Sequence, residues 1–246
     1  MLRTPNSELR TNLPSVISLD EVLLRVESET PQKSLFWGEG VGGISSYVAG
    51  WMAGRGIDVF VLDGANRFDP YTVSSFAKKA SLSPVSLLKR IRIARAFTCY
   101  QMATLIEERL ASSLEQAEGI AQRQKLRVIL LGLVTPFLDE DVSEREVRPL
   151  FERSLRKVEG MAAGGIPFFL FEPSVVSPKS PSFSPSVKGG GGKWLNPQRT
   201  YLARRLFQFS DLIWRIGSDE GETKIVMEKG LTANGSLNST KEVFEI

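Results

Sequence analysis

Residues 38–46 read Gly-Glu-Gly-Val-Gly-Gly-Ile-Ser-Ser, and their spacing points to phosphate chemistry. A phosphate-binding loop follows G-x-x-x-x-G-K-[ST]. Its glycines let backbone amides face an anion, its lysine neutralises phosphate charge, and its hydroxyl helps hold a metal ion. Gly38 and Gly43 fall on the two glycine positions and Ser45 on the hydroxyl position, but Ile44 takes the place of the lysine. Gly40, Gly42 and Ser46 complete the set of candidate phosphate contacts. Two readings stay open: a loop that still takes nucleotide phosphate, and a tight strand-to-helix turn kept because the fold needs it.

Chemistries that need histidine or paired cysteines are excluded by composition. The chain has no histidine and one cysteine, Cys99. Ser-His-Asp triads, Cys-His pairs, histidine-ligated metals, intrachain disulfides and four-cysteine zinc sites are all ruled out. Cys99, next to a helix start and without a base partner, is expected as a packed core residue.

A second candidate is the loop from Ser177 to Trp194. It carries Lys179, Lys188 and Lys193, the aromatics Phe183 and Trp194, four consecutive glycines and no acid. Arg199, Arg204 and Arg205 extend the positive charge. Lysines contact phosphates and aromatics stack on bases, so Lys179, Lys188, Lys193, Trp194 and Arg199 are the candidate nucleic-acid residues. The alternative is a solvated loop whose lysines serve no ligand. The run Lys89-Arg90-Ile91-Arg92-Ile93-Ala94-Arg95 alternates charge with apolar residues, the pattern of a half-exposed strand; a nucleic-acid patch is its other reading. Residues 138–146 are acidic. They repel phosphate, and either meet a basic partner or begin a helix whose dipole favours them.

The elements that must hold these residues alternate. Apolar runs predict strands at Leu35–Trp37, Ile57–Leu62, Ile91–Ala96, Val128–Val134 and Pro167–Phe171. Helical spacing predicts helices over 17–26, 47–54, 71–80, 97–124, 142–161 and 199–209, with Ser83-Pro84 opening another. Residues 211–216 and 223–227 read as paired strands around a Gly-Ser-Asp-Glu-Gly turn. This order implies an α/β fold: a mostly parallel twisted sheet, helices on both faces and an antiparallel hairpin at one edge. The expected division is an N-terminal arm with a short helix (1–32), one core domain (33–230) and a polar tail (231–246).

The 246 residues are 42% hydrophobic and 24% charged, as in a globular protein. No apolar run approaches the ~18 residues of a membrane span, and the N-terminus shows no secretory pattern, so no membrane partner and a cytoplasmic location are expected. A net charge of +3 permits a nucleic-acid partner without demanding one.

The collinear set of segments resembles the RecA/RadA recombinase ATPase core. Val59–Pro70 is similar to that family's strand ending in Asp-Thr-Glu-Gly-Thr-Phe-Arg-Pro. Residues 82–105 resemble the segment running through Ala-Arg-Ala-Tyr to a glutamine and a leucine-rich helix. Trp214-Arg215-Ile216 with Gly221-Glu222-Thr223-Lys224 resembles the late hairpin carrying Gly-Glu-Thr-Arg. The likeness covers roughly residues 33–230 and implies a RecA-like P-loop NTPase core. The departures fall on the chemistry. The lysine position is Ile44, the family's catalytic glutamate falls on Ala65, its Walker B aspartate on Gly132, and its nucleotide-sensing glutamine on Glu172.

The resemblance with these losses implies an inactive paralogue, with no catalytic residue, no metal and no cofactor; ATP is what the frame would take if it still binds a nucleotide. It would act in DNA repair or recombination as a structural or DNA-binding accessory. The implied partners are single-stranded DNA, an active recombinase or another copy of itself. The alternatives are an ATPase whose cation comes from a neighbouring subunit and a protein–protein scaffold.

Overall fold

The inner strands form where apolar side chains must be buried on both sides, and an edge strand keeps part of its side chains in solvent. In the computed structural model, which describes residues 19–28, 32–115, 125–139, 141–173, 200–219, 222–231, 237–238 and 242–245, the strands are β1 (Lys33–Gly38), β2 (Asp58–Asp63), β3 (Ile91–Arg95), β4 (Leu126–Leu131), β5 (Phe168–Pro173), β6 (Leu212–Asp219), β7 (Glu222–Leu231), β8 (Leu237–Asn238) and β9 (Glu242–Glu245). The helices are α1 (Leu19–Ser28), α2 (Val41–Gly54), α3 (Pro70–Lys79), α4 (Pro84–Leu88), α5 (Cys99–Thr104), α6 (Ala111–Glu115), α7 (Glu144–Ala163) and α8 (Thr200–Phe209). A π-helical segment, Leu105–Leu110, joins α5 to α6.

The sheet order is β3-β2-β4-β5-β1-β6-β7-β8, with β9 also on β7. The pairs from β3 through β6 are parallel, and β6–β7 is antiparallel. Alternation along the strands divides the apolar residues. Leu35, Trp37, Phe60, Leu62, Val128, Leu130 and Leu170 join a cluster with residues of α5, the π segment, α7 and α8. Phe36, Val59, Val61, Ile129, Leu131 and Phe171 join another with α1, α2 and α3. Helices therefore cover both faces. No helix among the described residues is long and apolar enough to cross a membrane.

Local chemistry sets the helix starts. Asp69 accepts the amides of Tyr71 and Thr72 at the start of α3, and Pro70 follows it. Ser83 and Pro84 do the same for α4. Glu144 and Glu146 lie in the first turn of α7, which favours the helix-start reading of the acidic stretch. Cys99 is buried in the core.

Four details differ from the sequence expectations. Helix α2 begins at Val41 rather than Tyr47, because Gly40, at φ 69°, makes the reversal by itself. β4 stops at Leu131, because Gly132 turns the chain at φ 65°. The expected helix over 97–124 is interrupted by the π segment, and its end lies outside the described residues. The polar tail after 230, where no strand is expected, contains β9: Val243 and Phe244 pair with Val226 and Ile225.

Candidate functional site

In open α/β sheets, ligands gather beyond the carboxyl ends of the strands, where neighbouring strands send their connections opposite ways. Two neighbouring pairs do this here: β2 and β4, which lead to β3 and β5 on opposite sides, and β1 and β5. In the second pair Gly38 lies beside Pro173 in register. The chain leaving β1 passes through α2 to β2 on one side, whereas β5 is followed in the sequence by β6 on the other.

The glycine-rich stretch sits there, but as a turn of two residues. Gly38 has φ 133°, and a β-carbon on it would lie 1.9 Å from the Ile216 carbonyl oxygen. The Glu39 amide donates to that same oxygen at 3.3 Å. Gly38 thus permits the close approach of β1 to β6. Gly42 and Gly43 are already helical; a β-carbon on Gly42 would meet Arg67 at 2.9 Å, whereas Gly43 faces open space. The hydroxyls of Ser45 and Ser46 are both buried and both donate to the Gly42 carbonyl at 2.8 Å. Ser46 also accepts the Asp69 amide at 2.9 Å, tying α2 to the start of α3. Gly40 caps α2 without a side chain, and the exposed Glu39 places an acid directly before it.

The carboxyl ends of β2 and β4 close the other side. Asp63 is buried, and its two oxygens accept the amides of Arg67 and Phe68 at 3.1 and 3.0 Å. Arg95, one strand over, approaches it at 3.6 Å. This carboxylate folds the 64–69 loop back on itself. Ala65 and Gly132, the two positions where the resemblance places acids, press on each other: a β-carbon on Gly132 would lie 2.5 Å from that of Ala65 and 2.8 Å from its nitrogen. Gly64 packs as tightly against the Gly132 carbonyl, Met102 and Pro136. The Ala65 amide donates to Leu131 at 3.2 Å. Backbone and methyl groups fill the volume that two carboxylates and an ion would need.

Glu172 is the unusual group. It is 1% exposed at the end of β5, beside Trp37 in register. Its Oε1 accepts the Val134 amide at 3.0 Å, and its Oε2 has no hydrogen-bond partner. Burial pushes its pKa up to about 8, although the amides of Val134 and Leu133 pull the other way. At neutral pH it is therefore a neutral acid holding the bend after β4, not a nucleotide-sensing amide. Trp37 donates its indole hydrogen to Glu228 at 3.0 Å, linking β1 to β7.

The sequence candidates are thus brought together only in part. Gly38, Gly40, Gly42, Gly43, Ser45 and Ser46 form one turn and helix start, and both hydroxyls are used internally. Lys179, Lys188, Lys193, Trp194 and Arg199 lie outside the described residues. No group of three or more acidic or cysteine side chains among the described residues is arranged to hold a metal ion. The Asp63–Arg95 closure was legible only as a carboxylate ending a strand. No family model matches the chain, and no curated protein sequence matches it.

One prediction follows from the Ala65–Gly132 contact. Gly132→Asp, which restores the acid that the resemblance expects, should lower stability by about 2–3 kcal/mol through overpacking. Denaturant melts measure this. An aspartate tolerated within about 0.5 kcal/mol would mean that the bend has room for a metal ligand.

Proposed function

We propose that this chain is a catalytically inactive RecA/RadA-like recombinase paralogue, acting in DNA repair or recombination as a structural or DNA-binding accessory. The observation that carries the reading is the mutual contact of Ala65 and Gly132, at the two positions where that family keeps its acids. Phosphoryl transfer needs positive charge on the phosphates, a held Mg²⁺ and a group that orients water. Ile44, Ala65 and Gly132 supply none of these, and the early start of α2 leaves two residues where a phosphate-cradling loop needs more. A cation donated by a neighbouring subunit would replace the lysine but not the volume filled between β2 and β4.

Isothermal calorimetry with ATP and Mg²⁺, paired with a phosphate-release assay, tests the reading. The expected result is no turnover above the buffer rate and no binding tighter than about 1 mM, an affinity of roughly −4 kcal/mol. Micromolar binding accompanied by turnover would sink the proposal and favour the composite-site ATPase.

A further inference from the structure

Residues 71–100 contain six cations, Lys78, Lys79, Lys89, Arg90, Arg92 and Arg95, and none of the chain's 28 acids. Since the whole chain is +3, the remainder is −3. This stretch builds one margin of the sheet: α3, α4, β3 and the start of α5. Six of the seven large hydrophobic side chains exposed among the described residues belong to it. Three are rings: Tyr71 at 82% exposure, Phe97 at 64% and Tyr100 at 51%.

Part of the positive charge is structural. Arg90 bonds Asp58 at 2.8 Å, and Arg95 faces Asp63. Lys89 and Arg92 have no ion pair among the described residues. Arg92 instead lies over the Phe60 ring, 5.2 Å from its centroid, on the sheet face it shares with this register partner, and is exposed. The surface is bounded on one side, where the Tyr100 hydroxyl donates to Glu146 at 3.3 Å.

We propose that this β3 edge is a contact surface for single-stranded nucleic acid. The inference deepens the DNA-binding part of the reading above and rests on it. Charges on a short edge strand also guard against unwanted strand addition, which disfavours an extended polypeptide as the occupant. Guarding alone leaves two observations unexplained. A guard works with either sign of charge, yet no acid is present in the stretch; and it gains nothing from aromatic rings left in solvent. Cations along a track, with rings at its end, are what a flexible polyanion with stacking bases recognises.

The test is fluorescence anisotropy with a labelled thymidine oligonucleotide of about 20 nucleotides, on the full chain, at about 50 and 200 mM salt. Lys89→Ala combined with Arg92→Ala should weaken binding about tenfold at the lower salt and make the salt dependence shallower. Phe97→Ala should weaken it about fivefold or more. Arg92→Lys, which keeps the charge, should stay close to the parent, and Lys89→Glu serves if the double variant does not fold. Edge variants that bind like the parent overturn the inference, while leaving DNA binding elsewhere on the chain intact. A parent that does not bind at the lower salt overturns both the inference and the DNA-binding reading. Capture of polyglutamate but not of the oligonucleotide, lost in the same variants, overturns it in favour of an acidic polypeptide.

Discussion

Gly38→Ala is expected to abolish the native fold or lower its stability by more than about 4 kcal/mol. Two independent effects add. The residue sits at φ 133°, where an L side chain is strained. Its β-carbon would also fall 1.9 Å from the Ile216 carbonyl oxygen, a backbone atom fixed by the β1–β6 ladder. Neither strand can retreat, since β1 is also paired to β5. For a chain of this size such a loss lowers Tm by roughly 10 °C or more, readable by circular dichroism. Gly43→Ala is the matched comparison. Gly43 is helical and open, so alanine there should leave stability unchanged or raise it by about 0.5–1 kcal/mol. A phosphate-binding stretch would have its glycines arranged around the ligand. If Gly38→Ala melts within about 2 °C of the parent, β1 and β6 are not as close as described.

Glu172→Gln should reshape the dependence of stability on pH. The unfolded carboxyl titrates near 4.5 and the folded one near 8, so between these values the folded state holds a proton that the unfolded state has released. Stability from this group is fully present below about pH 4.5, falls as pH rises, and levels off above about pH 8. The full excursion is about 5 kcal/mol. Glutamine removes the titration and keeps a carbonyl for the Val134 amide, but its NH2 group takes the place of an oxygen that has no partner. The variant should therefore be slightly less stable than the parent at pH 5 and clearly more stable at pH 9, so that the two curves cross. Urea melts at several pH values read this directly. Parallel curves would show that Glu172 ionises in the fold as it does in the unfolded chain.

How far the sequence could be read depended on whether burial leaves a pattern. β1, β2, β4 and β5 were visible because strands covered on both faces become continuous apolar runs. The caps at Asp69 and Ser83 left the residue types that helix starts require. The first two turns of α2 were hidden, since Val41-Gly42-Gly43 has the composition of a loop and only the conformation of Gly40 makes it a helix. β9 was hidden for another reason: Glu242-Val243-Phe244-Glu245 is too short for a pattern to show. The π segment leaves no trace, because Ile106 and Leu110 keep the four-residue spacing of an ordinary helix while both are buried. At the candidate site, the residue types at 65, 132 and 172 were each legible. Their physical relation was not: Ala65 and Gly132 meet only through β2–β4 pairing, and the state of Glu172 follows from burial that one residue type cannot announce.

The division of apolar residues between the sheet's two faces has a consequence for descent. Successive residues of one strand serve different clusters, so a lineage can remodel one face while the contacts of the other persist. Resemblance to distant relatives should then decay unevenly, with the odd and even positions of a strand keeping separate histories.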